Sequence, residues 1–482
     1  MPKCQLTAAR GAPYLRQHVA RDPTSTHASR SGFDRRHAAG RERRCRDRHD
    51  YDHHDHDRSR VGVRARVTLA RNGPALDEAG RCKPQPPAET GPLQEVTVNI
   101  VASPIAQSRL PPPVALAPSA RTPRRCALAV GVIGPGRVGS ALLEQLRAAQ
   151  PRLERSMNLV LNLCGVVASR QMWLDCDDPE LNARHHRAQT WRPNDLGEFA
   201  AHVRGDDGRH ALLIDCSASD EVAAHYPDWL AAGIHVITPN KLAGSGPLER
   251  WHAIRAASVD SGARFRCEAT VCAGLPVVQT LRDLLDTGDE LIDIEGMFSG
   301  TMAWLCNRYD GSRPFSALLR EAQALGYTEP DPRADLSGID VARKLVILAR
   351  EAGLPLSLED VDVESLVPPA LAGLPLGECT RRLHELDAPM SAKLAKAQVH
   401  SGVLRHVGRL DREGRASVRL AALPAAHAFA HARLADNVVQ FRTRRYRDNP
   451  LMVQGPGAGP EVTAAGVFAD LLRIAESLAV RP

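Results

Sequence analysis

The stretch "CALAVGVIGPGRVGSALLEQLRAAQ" constrains this chain more than any other. Ala127 to Ile133 form an apolar run of strand length, and from Ser140 to Gln150 apolar residues recur at helical spacing. Between them lies Gly134-Pro-Gly136-Arg137-Val138-Gly139, a GxGxxG. The first glycine permits a tight turn, the second lets backbone approach a pyrophosphate, and the third lets helix and strand pack closely. Free amides at the helix start, around Arg137 and Val138, then face the phosphates. A second apolar run, "LVLNLCGVVASR", follows, so strand, glycine turn, helix and strand stand in the order of a dinucleotide-binding unit. A glycine-rich structural turn is the alternative.

The end of the second run bears on which dinucleotide fits. A carboxylate there would hold a ribose 2′-hydroxyl, whereas an arginine accommodates a 2′-phosphate. The chain offers Ala168-Ser169-Arg170 and no acid before Asp175, which points to NADP over NAD; a solvent-facing Arg170 is the other reading. Further on, "ALLIDCSAS" and "GIHVITPNKLAG" read as buried strands ending in small polar residues. Ligands of open parallel sheets gather at the carboxyl ends of strands, which brings Ser217 and Ser219 near the cofactor and Asn240 and Lys241 near its reactive end. For Lys241 an ordinary loop lysine stays open.

After residue 262 the pattern changes. "RFRCEATVCAGLPVVQTLRDLL" passes from strand through a Gly-Pro loop to helix, and "ELIDIEGMFSGTMAWLCN" repeats strand, Ser-Gly turn and helix. "VLRHVGRL" and "ASVRLAAL", separated by Asp411-Arg-Glu-Gly414, read as a hairpin, and "NVVQFRTRRY" as one more strand. A second domain on a mixed sheet with helices on one face is expected. The final "VQGPGAGPEVTAAGVFADLLRIAESLA" is a glycine-rich loop entering a long helix, as in a chain returning to the nucleotide domain.

Composition supports this plan. A chain of 482 residues with 43% hydrophobic content can bury a large core and holds two or three domains. No apolar run reaches the roughly 18 residues of a membrane span, and no secretory signal stands at the N-terminus, so the expected location is the cytoplasm. The 11 cysteines form no CxxC pair, which fits free thiols in a reducing compartment. Residues 1–125 carry 23 Lys and Arg against 12 Asp and Glu, a net of +11, which leaves about −5 for the rest. That basic leader shows no helical or strand period and is expected to be largely disordered. His49, His53, His54 and His56 within it allow a metal- or nucleic-acid-binding tract, but a solvated low-complexity segment is favoured, so nucleic acid is not an expected partner.

"GYTEPDPRADLSGIDVARKL", residues 326–345, sets charge at the mouth of an apolar helix. Ser337-Gly-Ile-Asp340 matches a capping box, in which Asp340 would serve backbone amides. Lys344 lies one turn further on the same face, and Leu345 to Leu348 mark the helix as buried. A buried lysine is costly unless paired, so either a polar cavity or an i,i+4 ion pair lies here.

Together "ATVCAGLPVV", "GYTEPDPRADLSGIDVARKL", "TPNK" and "GPGAGPEVTAAGVFADLLR" resemble homoserine dehydrogenase, and most of all the dehydrogenase half of bifunctional aspartokinase/homoserine dehydrogenase. The resemblance runs from about residue 127 to 480. It implies reversible NADPH- or NADH-dependent reduction of L-aspartate 4-semialdehyde to L-homoserine, on the route to threonine and methionine. It implies Lys344 and Lys241 as catalytic lysines, with Glu329, Asp335 and Asp340 binding the substrate. Gly134, Gly136, Gly139, Ser217 and Gly459 match dinucleotide contacts, and Glu268 with the carbonyls of Val271, Ala273 and Leu275 matches a structural sodium site. The implied plan is α/β: a Rossmann-type domain over 126–262, an α+β catalytic and dimerisation domain with a mixed sheet over 263–450, and a C-terminal return over 451–482. A homodimer or homotetramer is implied as well. The chain departs from the family at Cys272, where glycine is usual, and at Ala334, where an acid is frequent; residues 1–125 show no kinase motif. An inactive cofactor-binding scaffold is the competing reading, against which the set Glu329, Asp340, Lys344 and Lys241 argues.

Overall fold

The computed structural model describes residues 126–178, 191–206 and 208–479, all within one compact unit. Residues 1–125, to which the expected disorder and the metal- or nucleic-acid-binding alternative refer, lie outside the described residues.

Two sheets organise the rest. The first contains β1 (Cys126–Ile133), β2 (Leu159–Val167), β3 (Gln171–Asp178), β4 (Arg192–Pro193), β5 (His210–Asp215), β6 (His235–Ile237) and β7 (Phe265–Arg266) in the order β4-β3-β2-β1-β5-β6-β7. Strands β2, β1, β5, β6 and β7 are parallel neighbours. The chain leaves β1 to one side for β2 and returns on the other side at β5, so the carboxyl ends of β1 and β5 flank a topological switch point, where such sheets bind ligands. Helix α1 (Arg137–Met157) outruns the expected Gln150 and passes through Pro151, because Leu153 carries the apolar stripe one turn further into the core. Strand β3, antiparallel to β2, has no counterpart among the expected strands; Met172 and Trp173 are buried there between the exposed Gln171 and the half-buried Leu174.

The second sheet contains β8 (Leu291–Met297), β9 (Asp362–Val363), β10 (Gly402–Asp411), β11 (Ala416–Pro424), β12 (Asp436–Thr443) and β13 (Leu451–Pro456), in the order β13-β12-β8-β10-β11-β9. Only the β11–β9 pair is parallel, so the sheet is mixed, as expected. The hairpin between β10 and β11 turns where Asp411-Arg-Glu-Gly414 predicts it: the Asp411 carboxylate accepts from the amides of Glu413 and Arg415, and Gly414 has φ 82°. One apolar core joins the two sheets, from Phe199 and Leu213 through the Val277–Asp286 and Ile339–Glu351 helices to Ile294 and Phe441. Among the described residues no helix is long and apolar enough to cross a membrane.

The last helix, Pro460–Ala479, crosses back to the first sheet. Its Ala464, Val467, Leu471 and Ile474 share a core with Leu142, Leu146 and Leu161, and the Gln145 side chain donates to the Glu461 carbonyl. Two glycines permit this docking. A Cβ on Gly274 would stand 2.5 Å from the Val462 carbonyl oxygen, and one on Gly466 would stand 2.6 Å from that of Ala273. Backbone atoms cannot swing aside as side-chain ends do. Gly466→Ala is therefore expected to cost about 1–3 kcal/mol, read as a lower urea midpoint. An unchanged midpoint would show that the helix shifts without loss.

Candidate active site

The glycine turn occupies the switch point. Gly134 has φ 80°, and a Cβ there would meet the Ser217 amide nitrogen at 2.8 Å; one on Gly139 would meet the Gly134 carbonyl oxygen at 2.3 Å. Both positions exclude a side chain. Gly136 differs, because a Cβ there would have no neighbour within 4 Å, so the turn opens outward at this residue. Arg137 is exposed, Val138 is half-buried, and α1 starts without a side-chain cap or an acid in its first turn. Its first amides are thus available to an anion. Arg170 is exposed in the turn between β2 and β3, at the carboxyl end of β2. These residues fit a dinucleotide phosphate.

Beside the turn, the buried Asp215 fixes the ends of β5 and β6. Its carboxylate accepts from the Tyr226 hydroxyl (2.5 Å), the Asn240 side-chain amide (3.1 Å) and the Ser217 amide (2.7 Å). Ser217 Oγ accepts from the Ser219 amide, and Ser219 Oγ caps the Asp220–Ala224 helix. Asn240 caps the next short helix, Lys241–Ser245, and its side chain is buried in bonds to Asp215, the Ser219 carbonyl and the Leu242 amide. Lys241 then leads that helix, half-buried. The helix sits close to Ile339–Glu351 because a Cβ on Gly244 would come within 2.9 Å of Ile347. Arg350 ties the pair by donating to the carbonyls of Gly244 and Gly246.

Here the charged mouth of the buried helix resolves. Gly338, at φ 75°, is the N-cap residue, and no side chain caps the helix. The capping-box reading of Asp340 is therefore corrected: its carboxylate is drawn to lysines instead of backbone amides. One oxygen lies 2.8 Å from Lys344 Nζ and the other 3.3 Å from Lys241 Nζ. Lys344 is 7% exposed and also donates to the Phe298 carbonyl at 2.7 Å. Burial pulls its pKa down, but Asp340, helped by Cys272 and Asp335, outweighs burial and holds it above the ordinary lysine value. Burial raises the Asp340 pKa, and the two lysines more than reverse that, leaving it far below the carboxylate range. At neutral pH the centre is a protonated lysine beside an ionised carboxylate.

A short loop closes one side. Glu329 is exposed, and its carboxylate makes no ion pair among the described residues. Its backbone amide donates to Asp335, whose other oxygen lies 2.7 Å from Thr301 Oγ1; Thr301 in turn is 2.6 Å from the Tyr327 carbonyl oxygen. Both Asp335 oxygens are thus engaged with protein groups. Burial raises its pKa, and the nearby carboxylates of Glu329 and Asp340 add to the rise against the hydrogen bonds from Thr301 and Glu329. Thr301, Phe298 and Asp215 carry no sequence signal beyond a turn or strand end, and none was anticipated.

The implied cation ligands lie under the glycine-rich end of the chain. Glu268 is buried, and its two oxygens accept from the amides of Val278 and Gln279 at the start of the Val277–Asp286 helix. Burial, with Asp470 nearby, raises its pKa to about 7, against Arg473 at 3.7 Å. Val271, Cys272 and Ala273 are buried, Cys272 and Ala273 have φ 60° and 55°, and the Leu275 carbonyl accepts from Val277. Cys272, standing where the family usually has glycine, is thus held in the left-handed region, and Ala273 shares that strain. Gly459, at φ 125°, belongs to the loop before the last helix, and its carbonyl accepts from Thr463.

Comparison with known proteins gives a consistent answer. Residues 134–268 match the family model "Homoserine dehydrogenase, NAD binding domain", and 276–472 match "Homoserine dehydrogenase". The chain is 40% identical over 371 residues to the homoserine dehydrogenase of Emericella nidulans, covering 72% of this chain and 98% of that one. It is 46% identical over 355 residues to a chloroplastic bifunctional aspartokinase/homoserine dehydrogenase of Zea mays, covering 73% of this chain but 39% of the plant protein. A solved Candida auris protein described as of unknown function is 35% identical with a TM-score of 0.67, covering 73% of this chain and 98% of that one.

The shared carboxylate makes a measurable prediction. Asp340→Asn is expected to lower stability by about 2 kcal/mol at pH 7, less than for a fully buried pair because the Asp340 side chain is 48% exposed. Lys344, with its pKa raised, contributes stability in full below its ordinary 10.5 and loses it as pH climbs through the higher folded value. Asp340, with its pKa depressed, contributes in full above about 3.8 and loses it as pH falls towards the lower folded value. The gap in thermal midpoint between wild type and variant is thus wide at pH 7 and shrinks in strong acid and strong alkali. A gap that does not change with pH would show that the pair is not coupled to titration.

Proposed function

The chain belongs to the homoserine dehydrogenase family, and we propose that it interconverts L-aspartate 4-semialdehyde and L-homoserine with NADPH or NADH, in threonine and methionine biosynthesis. The observation that carries the reading is the buried Lys344 ammonium. Two of its three protons go to Asp340 and the Phe298 carbonyl, so one remains for a substrate oxygen. The nicotinamide, when bound, supplies or accepts the hydride. Lys344 stabilises the alkoxide that develops at the aldehyde oxygen and delivers the proton to it, while Asp340 keeps it charged and Lys241 adds a second cation. The exposed Glu329 carboxylate takes the substrate's ammonium group, and Asp335 holds the Glu329 backbone in place. In the reverse direction Lys344 must first be neutral, so homoserine oxidation rises with pH through the alkaline range whereas aldehyde reduction does not.

The test is turnover of purified protein with L-homoserine and each nicotinamide. Lys344→Ala is expected to lose about 10²–10⁴-fold in kcat with little change in KM. Near-normal turnover in that variant would remove Lys344 from its role. A preference for NADP that Arg170→Ala reduces about tenfold, with NAD turnover unchanged, would support Arg170 as the 2′-phosphate ligand; an unaltered preference would discard it. No turnover at all in folded, cofactor-binding protein would favour the inactive scaffold.

The assembly and the ion belong to the same proposal. Register puts Glu295, Arg409, Gln440 and Met452 in one row across the second sheet, and Met452 is 41% exposed there; we read this face as the contact between two copies. A carboxylate with backbone carbonyls suits a monovalent hard cation, and each Glu268 oxygen retains a lone pair beside its amide bond. Glu268, Val271, Ala273 and Leu275 would hold sodium there. The seven cysteines whose side chains are described are free, which agrees with the cytoplasm. Light scattering should give at least twice the chain mass, and exchanging sodium for a bulky organic cation should lower the thermal midpoint. A monomer or an indifferent midpoint would overturn the respective reading, and recovery from a secretory or organelle fraction would overturn the location.

A further inference from the structure

One side chain reaches both Lys344 and the glycine loop that precedes the last helix. Asn437, at the start of β12, is wholly buried. Its Nδ2 donates to the Phe298 carbonyl at 2.8 Å and to Cys272 Sγ at 3.2 Å. The same Phe298 oxygen accepts from Lys344 Nζ at 2.7 Å, so the amide and the ammonium flank one acceptor. On the other side Gly457 presses against the amide, where a Cβ would lie 2.4 Å from Asn437 Cγ. Asn437 Oδ1 is buried without a hydrogen-bond partner. Buried polar groups that stay unpaired concentrate where function or strain requires them. The amide orientation is nevertheless decided: turned over, it would set Oδ1 against the Phe298 oxygen, two acceptors facing each other.

We infer that Asn437 is a positioning residue for the reaction: it aims the Phe298 carbonyl that holds Lys344 and couples Lys344 to the Gly457–Gly459 loop through Gly457 and to Cys272. This rests on the role of Lys344 proposed above. A carbonyl shared by two donors has a fixed direction. With Asn437 gone, Phe298 is free to rotate its peptide, and Lys344 is left to follow Asp340 alone. Around Lys344 stand Asp340 on its own helix, Lys241 from the neighbouring helix, Asp335 from the loop side and Cys272 from the strained turn. Of these groups none donates to the Phe298 oxygen in the structure, which accepts from Lys344 and Asn437.

The test compares Asn437→Ala, Asn437→Asp and Lys344→Ala in the full chain, with thermal midpoints, kcat and KM for homoserine, and the pH profile of homoserine oxidation. Asn437→Ala is expected to lower kcat about tenfold with KM for homoserine within about twofold of wild type. Asn437→Asp keeps the shape and adds a carboxylate beside Lys344, so the alkaline rise in oxidation should move to higher pH. Should the alanine variant not fold, the isosteric variant carries the test through that shift. If both Asn437 variants match wild type in kcat and pH profile while Lys344→Ala is inactive, Asn437 does not position Lys344 and the inference falls. Lower midpoints with unchanged kcat and pH profile would equally overturn it, because a purely structural residue would behave so. Normal turnover in Lys344→Ala would instead strike at the reading beneath it.

Discussion

Everything around the site is arranged about one negative charge, that of Asp340. A lone ammonium at the depth of Lys344 would be expelled from its position or would lose its proton. The carboxylate one turn earlier prevents both, and the left-handed Gly338 lets the helix begin early enough for that turn to exist. The same carboxylate also reaches Lys241 on a separate helix, whose close approach depends on the missing side chain at Gly244. Two ammonium groups thus share the one Asp340 carboxylate. That suits a centre where negative charge appears on oxygen during reaction, since the donors are in position before the charge develops.

The parts of the fold legible in the sequence are those whose information is local. A strand, three spaced glycines and a helix within 25 residues announce the nucleotide turn, and Asp411 to Gly414 announce a hairpin, because periodicity and turn chemistry need no distant partner. Strand β3 is not legible because "QMWLDCDD" runs three large apolar residues together before its acids and shows no clean alternation. Ser337-Gly-Ile-Asp340 misleads for a different reason. Its spacing is right for a capping box, but the glycine in second place takes the cap and frees the acid for a lysine about one hundred residues away. Asn437 and Thr301 could not have been singled out, since their partners are contributed by other segments and two of those partners are backbone carbonyls.

Cys272 shows how the site tolerates a departure from the family's usual residue. Two consecutive non-glycine residues in the left-handed region cost on the order of 1 kcal/mol each, and the surroundings must over-determine them. They do: the thiol has a donor in Asn437, the following glycine lies against Val462, and the last helix covers the turn. The strain is therefore confined beneath the closing helix rather than relieved at the surface.

That closing helix also fixes an order of events during synthesis. The first sheet is complete in the chain at β7, but the helix that seals one of its faces begins nearly two hundred residues later. At roughly 5–20 residues per second, the growing polypeptide waits some 10–40 seconds with Leu142, Leu146 and Leu161 lacking their final cover. Folding of this half cannot finish on the ribosome ahead of the other half. Whatever protects that apolar surface in the interval, a transient internal contact or a chaperone, acts on a nascent chain whose two sheets must be completed together.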